Sequence, residues 1–417
     1  MSSSARLLAS LILTTPLGLL PALSQASASP IQTHKLTDAR PTTGDDFGAS
    51  VALRGTTALI GSFRDDDLGV DTGSAFLFNA ATGTQLHQLN ADDADLLDEL
   101  GLSVALGTSH ALVGARLNDD AGSQSGSAYV FDPTTGDQLH KLTASDADAG
   151  DFFGRSVAAY GSLGIVGAHL DDHAGLASGS AYVFNLNTGG QLDKLTADDA
   201  DINQSFGSAV ALDGFIAGVG APHNTDIGAV YLYNVLLNTQ THKLTADDGA
   251  TGNRFGFSVT ITDNTALIGA IGQDGTGAAY LFDTVTGTQL HKLTADDAAA
   301  NDFFGWSVAL SDGIAAVGAP LSDPDASASG AVYLFDVTTG EQITRVTPDD
   351  PVAGGQFGES VALDGTTLVV GAIRATAEGD LADTPGAGAA YVFEIPEPTS
   401  AALLLTLLAP GFRTRRP

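Results

Sequence analysis

Residues 153–201 read FGRSVAAYGSLGIVGAHLDDHAGLASGSAYVFNLNTGGQLDKLTADDAD. Four runs with strand character, Ser156–Ala159, Gly164–Ala168, Gly179–Phe184 and Gln191–Ala197, are separated by turn chemistry. The first and third connections are short, as tight hairpins require, and the other two are longer and rich in aspartate. This pattern predicts a four-stranded antiparallel meander. The glycine of the opening Phe-Gly recurs at 48, 101, 154, 207, 256, 305 and 358, spaced by 53, 53, 53, 49, 49 and 53 residues. A period of this length built only from short strands points to a ring of stacked sheets, and seven copies predict an all-β, seven-bladed propeller.

The phase of the repeat carries as much as its count. Residues 31–37, IQTHKLT, match the fourth strand of a unit (QLHKLT), whereas the last copy stops at Ala389–Phe393, a third strand. The N-terminal strand is therefore expected to complete the last blade and close the ring, which removes the free edges of an open array. Within the inner strand, Phe153 and Val157 share one side while Gly154, Ser156 and Ala158 share the other, so large groups of one sheet can fill the space beside small groups of the next.

Composition agrees. The 417 residues contain 43 Asp but only 6 Glu, together with 50 Gly, a balance suited to turns rather than helices. Hydrophobic residues reach 43%, enough for a continuous core. No cysteine is present, which excludes disulfides, thiolate metal sites and cysteine nucleophiles. Residues 1–28 place Arg6 before an apolar stretch ending in Ala26-Ser27-Ala28, the form of a secretory signal peptide. The expected organisation is thus a signal peptide at 1–28, one propeller over 29–394 and a tail at 395–417.

The net charge of −32 becomes directional on this fold. In a four-stranded meander the loop joining strands two and three and the loop leading to the next blade emerge on one side of the disc. Those loops hold 15 and 21 acidic residues, 36 of the 49 in the chain. Such a face excludes nucleic acid and favours cations or basic partners. Its densest inter-blade groups, Asp92, Asp93, Asp95 and Asp98, then Asp146, Asp148 and Asp151, then Asp198, Asp199 and Asp201, are candidate weak calcium ligands through hard oxygen donors. The same aspartates also suit turn hydrogen bonding and solubility.

Catalytic signals are sparse. No G-x-S-x-G elbow, P-loop or zincin motif occurs. His34, His87, His140, His242 and His291 occupy one repeated fourth-strand position, which reads as structural and solvent-facing, and His169-x-x-x-His173 has no helix to align its rings. Blades differ most at the residue after Phe-Gly. There Arg155, Phe257, Trp306 and Glu359 form a candidate binding patch around the axis, with Trp306, the sole tryptophan, able to stack on a sugar or peptide.

Phe-Gly at 47, 153, 206, 255, 304 and 357, with Leu100-Gly101 in the remaining copy, pairs with second-strand motifs such as Val219-Gly220-Ala221-Pro222 and Val317-Gly318-Ala319-Pro320. These residues resemble the FG-GAP repeat of integrin α-subunit propellers and their bacterial relatives over residues 31–393. The resemblance implies an adhesion-like module. The calcium loop common in that family lies between the first two strands, where this chain has only short turns such as Leu212-Asp213-Gly214-Phe215. At the C-terminus, Pro396-Glu397-Pro398, an apolar run and then Arg413, Arg415 and Arg416 resemble a PEP-CTERM sorting tail. That resemblance implies an exosortase-type protease as partner and a destination at the cell surface or extracellular matrix of a Gram-negative-type bacterium. The sequence expectation is a non-enzymatic, monomeric ring that binds an extracellular protein or glycan. The alternatives are a polysaccharide hydrolase or lyase on the same scaffold and a purely structural matrix protein.

Overall fold

A computed structural model describes residues 29–377 and 384–396. The predicted signal peptide and nearly all of the sorting tail, Ile395 and Pro396 excepted, lie outside the described residues. The chain forms seven four-stranded antiparallel sheets, six built from consecutive strands. In the third blade the strands are Phe153–Tyr160, Leu163–Ala168, Ser180–Asn185 and Gly190–Leu195, within three residues of each boundary expected from the sequence.

The seventh sheet is completed from the other end of the chain. Ile31–Leu36 pairs with Ala389–Glu394, matching His34 to Val392, Lys35 to Tyr391 and Leu36 to Ala390. The fourth blade pairs His242 with Leu232, Lys243 with Tyr231 and Leu244 with Val230 at equivalent positions, with the same one-residue bulge before the histidine. The closing strand thus reproduces the register of a covalently continuous blade.

Apolar side chains bury themselves between blades. Phe206, Val219 and Tyr231 of the fourth blade pack against Ile165, Val183 and Leu195 of the third. At the closure, Leu36, Val369 and Val392 meet Phe47, Ile60 and Phe76 in the same way. Each Phe of Phe-Gly packs tilted or edge-on against two aromatics of its own third strand, as Phe153 does edge-on with Tyr182 at 5.6 Å and Phe184 at 5.8 Å.

The two glycines of each unit serve the inter-blade contact. A Cβ on Gly61 would lie 1.9 Å from the carbonyl oxygen of Gly101, and one on Gly371 would lie 1.9 Å from that of Gly48 across the closure. Only a bare backbone allows this approach. Beside it, Ser50, Ser103, Ser156, Ser258, Ser307 and Ser360 donate to the same carbonyl row in the following blade at 2.7–2.9 Å.

The outer strands are stapled too, which corrects the solvent-facing reading of the periodic histidines. The rings of His34, His87, His140, His242 and His291 are half-buried, and their Nε2 atoms bond backbone carbonyls in the outer hairpin of the next blade at 3.0–3.2 Å. Each ring lies over a turn glycine there, such as Gly136 beneath His87.

Candidate functional site: the axial mouth of the loop face

Interleaving of the two aspartate-rich loop sets is visible in their hydrogen bonds. Leu97 and Glu99 of the loop into the second blade donate to Val70 and Asp71 of the first blade's loop between strands two and three. These loops therefore share one face, as the sequence requires. Many of their carboxylates are engaged within the protein. Lys141 pairs with Asp93 at 2.6 Å and also with Asp120, while its ammonium sits 5.2 Å from the Tyr129 ring. Lys194 joins Asp146 and Asp171, Lys243 joins Asp199, and Lys292 joins Asp248 and Asp274. The Asp98 and Asp151 side chains are buried and accept from the Asp95 and Asp148 amides.

The structure therefore does not gather the aspartates named above, from Asp92 through Asp201, into a metal-sized group. Lysines and turn amides use many of them first. Among the described residues, one set of three carboxylates lies within 4.8 Å of one another, Asp38, Asp65 and Asp67 in the first blade. The fourth-strand lysine is replaced there by Gln88, which donates to Asp65 and Asp67, and Arg40 pairs with Asp67.

The axial end of this face is built differently. Before each Phe-Gly or Leu-Gly stands a non-glycine residue in the left-handed region: Asp46, Glu99, Phe152, Ser205, Arg254, Phe303 and Gln356, with φ between 55° and 57°. Three residues on, the amides of Ala49, Leu102, Arg155, Ser208, Phe257, Trp306 and Glu359 close each turn onto the carbonyl of that residue at 3.1–3.3 Å. In the blades where strand pairing runs through the turn, as in the third, the register jumps from Phe153 to Ser156. The turn and bulge aim the residue after Phe-Gly at the axis. A left-handed non-glycine residue costs about 1–3 kcal/mol, so seven in one ring mark a place where shape is held against local preference.

The four residues singled out from the sequence do come together. Arg155, Phe257, Trp306 and Glu359 all line a cavity of about 230 Å³ at this mouth, opposite the hairpin end of the inner strands. The axial channel is walled by valine, alanine and leucine from all seven blades, with Thr260 and Ile261 as exceptions. The Trp306 and Phe257 rings lie 4.8 Å apart, and Phe303 adds a third ring 6.0 Å from Trp306.

Both glycine motifs and their mutual contact are now accounted for. The FG-GAP repeat model matches the chain over residues 31–78, 84–131, 137–184, 190–233, 238–282, 288–335 and 341–393. The chain belongs to the FG-GAP repeat family. Each matched unit joins the outer strand of one blade to the first three strands of the next, the same offset that closes this FG-GAP ring. A search among curated proteins finds no similar sequence.

The mouth of the FG-GAP propeller pairs its acids with arginines, where the rim uses mostly lysines. Arg64 and Arg374 approach the buried Asp46 carboxylate at 3.3 and 3.2 Å, and Arg116 Nε meets Glu99 at 2.7 Å. Burial raises the Asp46 carboxyl above the usual carboxylate range even against both guanidinium groups. Burial also pushes Glu359 up to about 7, with Asp46 adding to the rise and a hydrogen bond to Trp306 opposing it. His169 is held neutral, lowered to about 3 first by burial and then by Arg155, Arg116 and His223.

The arginines at 64, 116, 254 and 374 were not singled out by sequence reasoning. Each lies within two residues of a Phe-Gly, Leu-Gly or Gly-Ala-type motif, or of its serine variant at Gly61-Ser62. Aligning all seven copies on both motifs, rather than on Phe-Gly alone, would have exposed them.

Proposed function

We propose that this FG-GAP propeller is an exported, non-enzymatic interaction module of the cell surface or extracellular matrix. It binds a protein or glycan at the axial mouth of its loop face. The observation that carries the reading is the contrast between uniformity and variation. Six of the seven inner strands repeat the same serine staple, and all seven repeat the turn. The residues those turns aim at the axis are aromatic in two blades, cationic in one, acidic in one and small or aliphatic in three. A rigid scaffold presenting dissimilar side chains at one mouth is the arrangement expected of a binding site.

Delivery to the surface would follow from the signal peptide and from recognition of Pro396-Glu397-Pro398 by an exosortase-type protease. Calcium enters this reading as a weak ligand of the rim, because it would compete with lysines for carboxylates already held. Melting in millimolar calcium against chelator checks that point: a rise of a few degrees supports rim binding, and no change removes it.

The test of the main reading is an array of extracellular polysaccharides and peptides probed with wild type, Trp306→Ala and Arg54→Ala. Arg54 lies at the hairpin end of the inner strand, away from the mouth. Binding lost with Trp306→Ala and kept with Arg54→Ala supports the mouth. Equal behaviour of the two variants contradicts it.

One observation favours a polysaccharide hydrolase as a second reading. Glu359 is protonated up to near neutral pH and touches Trp306, as a general acid beside a sugar platform would be. The other buried acids of the mouth, Asp46 and Glu99, are held by Arg64 and Arg374 and by Arg116, which leaves neither as an unpaired partner. Release of reducing ends by wild type but not by Glu359→Gln would support hydrolysis.

A further inference from the structure

Ion pairing is nearly complete in this acid-rich protein. Of the thirteen described Lys and Arg residues, ten form ion pairs, and Arg54, Arg155 and Arg254 do not. Two of those three, Arg155 and Arg254, line the same small cavity of about 140 Å³ beside the axial mouth, together with His169, Ser208, His223 and Phe257. In a chain of net charge −32, two guanidinium groups at one cavity with no carboxylate within 4 Å, Arg155 feeling Glu99 and Glu359 only from farther off, are a positive site kept open. His169, which also lines this cavity, has its Nδ1 shut away from solvent with no hydrogen-bond partner. Buried polar atoms in native proteins are seldom left so.

We propose that this cavity binds the carboxylate of an acidic sugar. Guanidinium forks match a carboxylate in geometry and charge. Ser208 Oγ, which donates to the Ser205 carbonyl at 2.8 Å, can still accept from a ring hydroxyl, and Phe257, backed by Trp306 at 4.8 Å, offers an apolar wall for the C–H face of a pyranose. A basic peptide, the partner suited to the rim, is repelled here. The inference rests on the reading of the mouth as a binding site and names the ligand chemistry for it.

The experiment is calorimetric titration of the full chain with sodium glucuronate and with glucose, using wild type, Arg155→Gln, Arg254→Gln and Arg54→Gln, with the melting temperature of each protein recorded alongside. Wild type and Arg54→Gln are expected to bind glucuronate at least tenfold more tightly than glucose. Arg155→Gln and Arg254→Gln are expected to lose at least tenfold in glucuronate affinity without a lower melting temperature. Equal affinity for glucose and glucuronate overturns the proposal, as does full affinity in both mouth variants. A wild type that retains its array ligand but ignores glucuronate overturns the carboxylate pocket alone and leaves the interaction reading standing.

Discussion

Replacing Glu359 by glutamine isolates the electrostatics of the mouth in a single measurable number. The folded protein holds this carboxyl at about 7, against 4.5 for the free group. Below pH 4.5 the acid is protonated whether the chain is folded or not, so the residue carries no penalty. As pH rises from 4.5 to 7 the unfolded chain ionises first, and the folded state progressively loses stability. By pH 8.5 linkage makes the loss about 3 kcal/mol. Glutamine cannot ionise and keeps an oxygen to accept from Trp306, so it escapes that loss. Urea unfolding of both proteins at pH 4, 6 and 8.5 should give nearly equal stabilities at pH 4 and a variant more stable by about 2–3 kcal/mol at pH 8.5. Because other raised carboxyls, such as Asp45 and Asp151, titrate alike in both proteins, they cancel in the difference. A stability difference that stays flat across this range would mean that the Glu359 carboxyl is not raised in the folded protein.

Three further outcomes follow from the architecture. Removing residues 31–36 strips the closing strand from Ala389–Glu394, and the bare edge should drive association visible by size-exclusion chromatography. Grafting the same residues after Glu394 through a short loop should restore a monomer. Gly154→Ala, at φ 91° with its new Cβ 2.3 Å from the Ser127 carbonyl oxygen, should cost about 3–5 kcal/mol in denaturant unfolding, whereas Gly161→Ala, at φ 59° with open space, should cost about 1 kcal/mol. Lys194→Met uncovers Asp171, which is 4% exposed, and should cost about 3 kcal/mol; Lys292→Met faces only exposed carboxylates and should cost under about 1 kcal/mol.

The ring, its blade count and its strand-exchanged closure were legible in the sequence because each rests on period and phase, which survive any local irregularity. The glycine contacts could be named as packing, although their partner, the glycine of the other motif in the neighbouring blade, is a long-range fact. The histidines misled for the same reason. Alternation along the outer strand says which side His140 takes, but not that an Asn187 carbonyl from the next blade waits there. At the mouth, Arg155, Phe257, Trp306 and Glu359 were found because they break the repeat at one position. The charge of the surrounding ring was hidden because Arg64, Arg116, Arg254 and Arg374 sit on two different turns that only the folded ring brings together.

The most direct measurement is the position of a bound ligand: a crystal of the full propeller soaked with the tightest binder from the glycan and peptide array. Density is expected at the axial mouth of the loop face, against Trp306 and Phe257, with any carboxylate held by Arg155 and Arg254. Density on the aspartate rim, or at the hairpin end of the channel near Arg54, would contradict this placement.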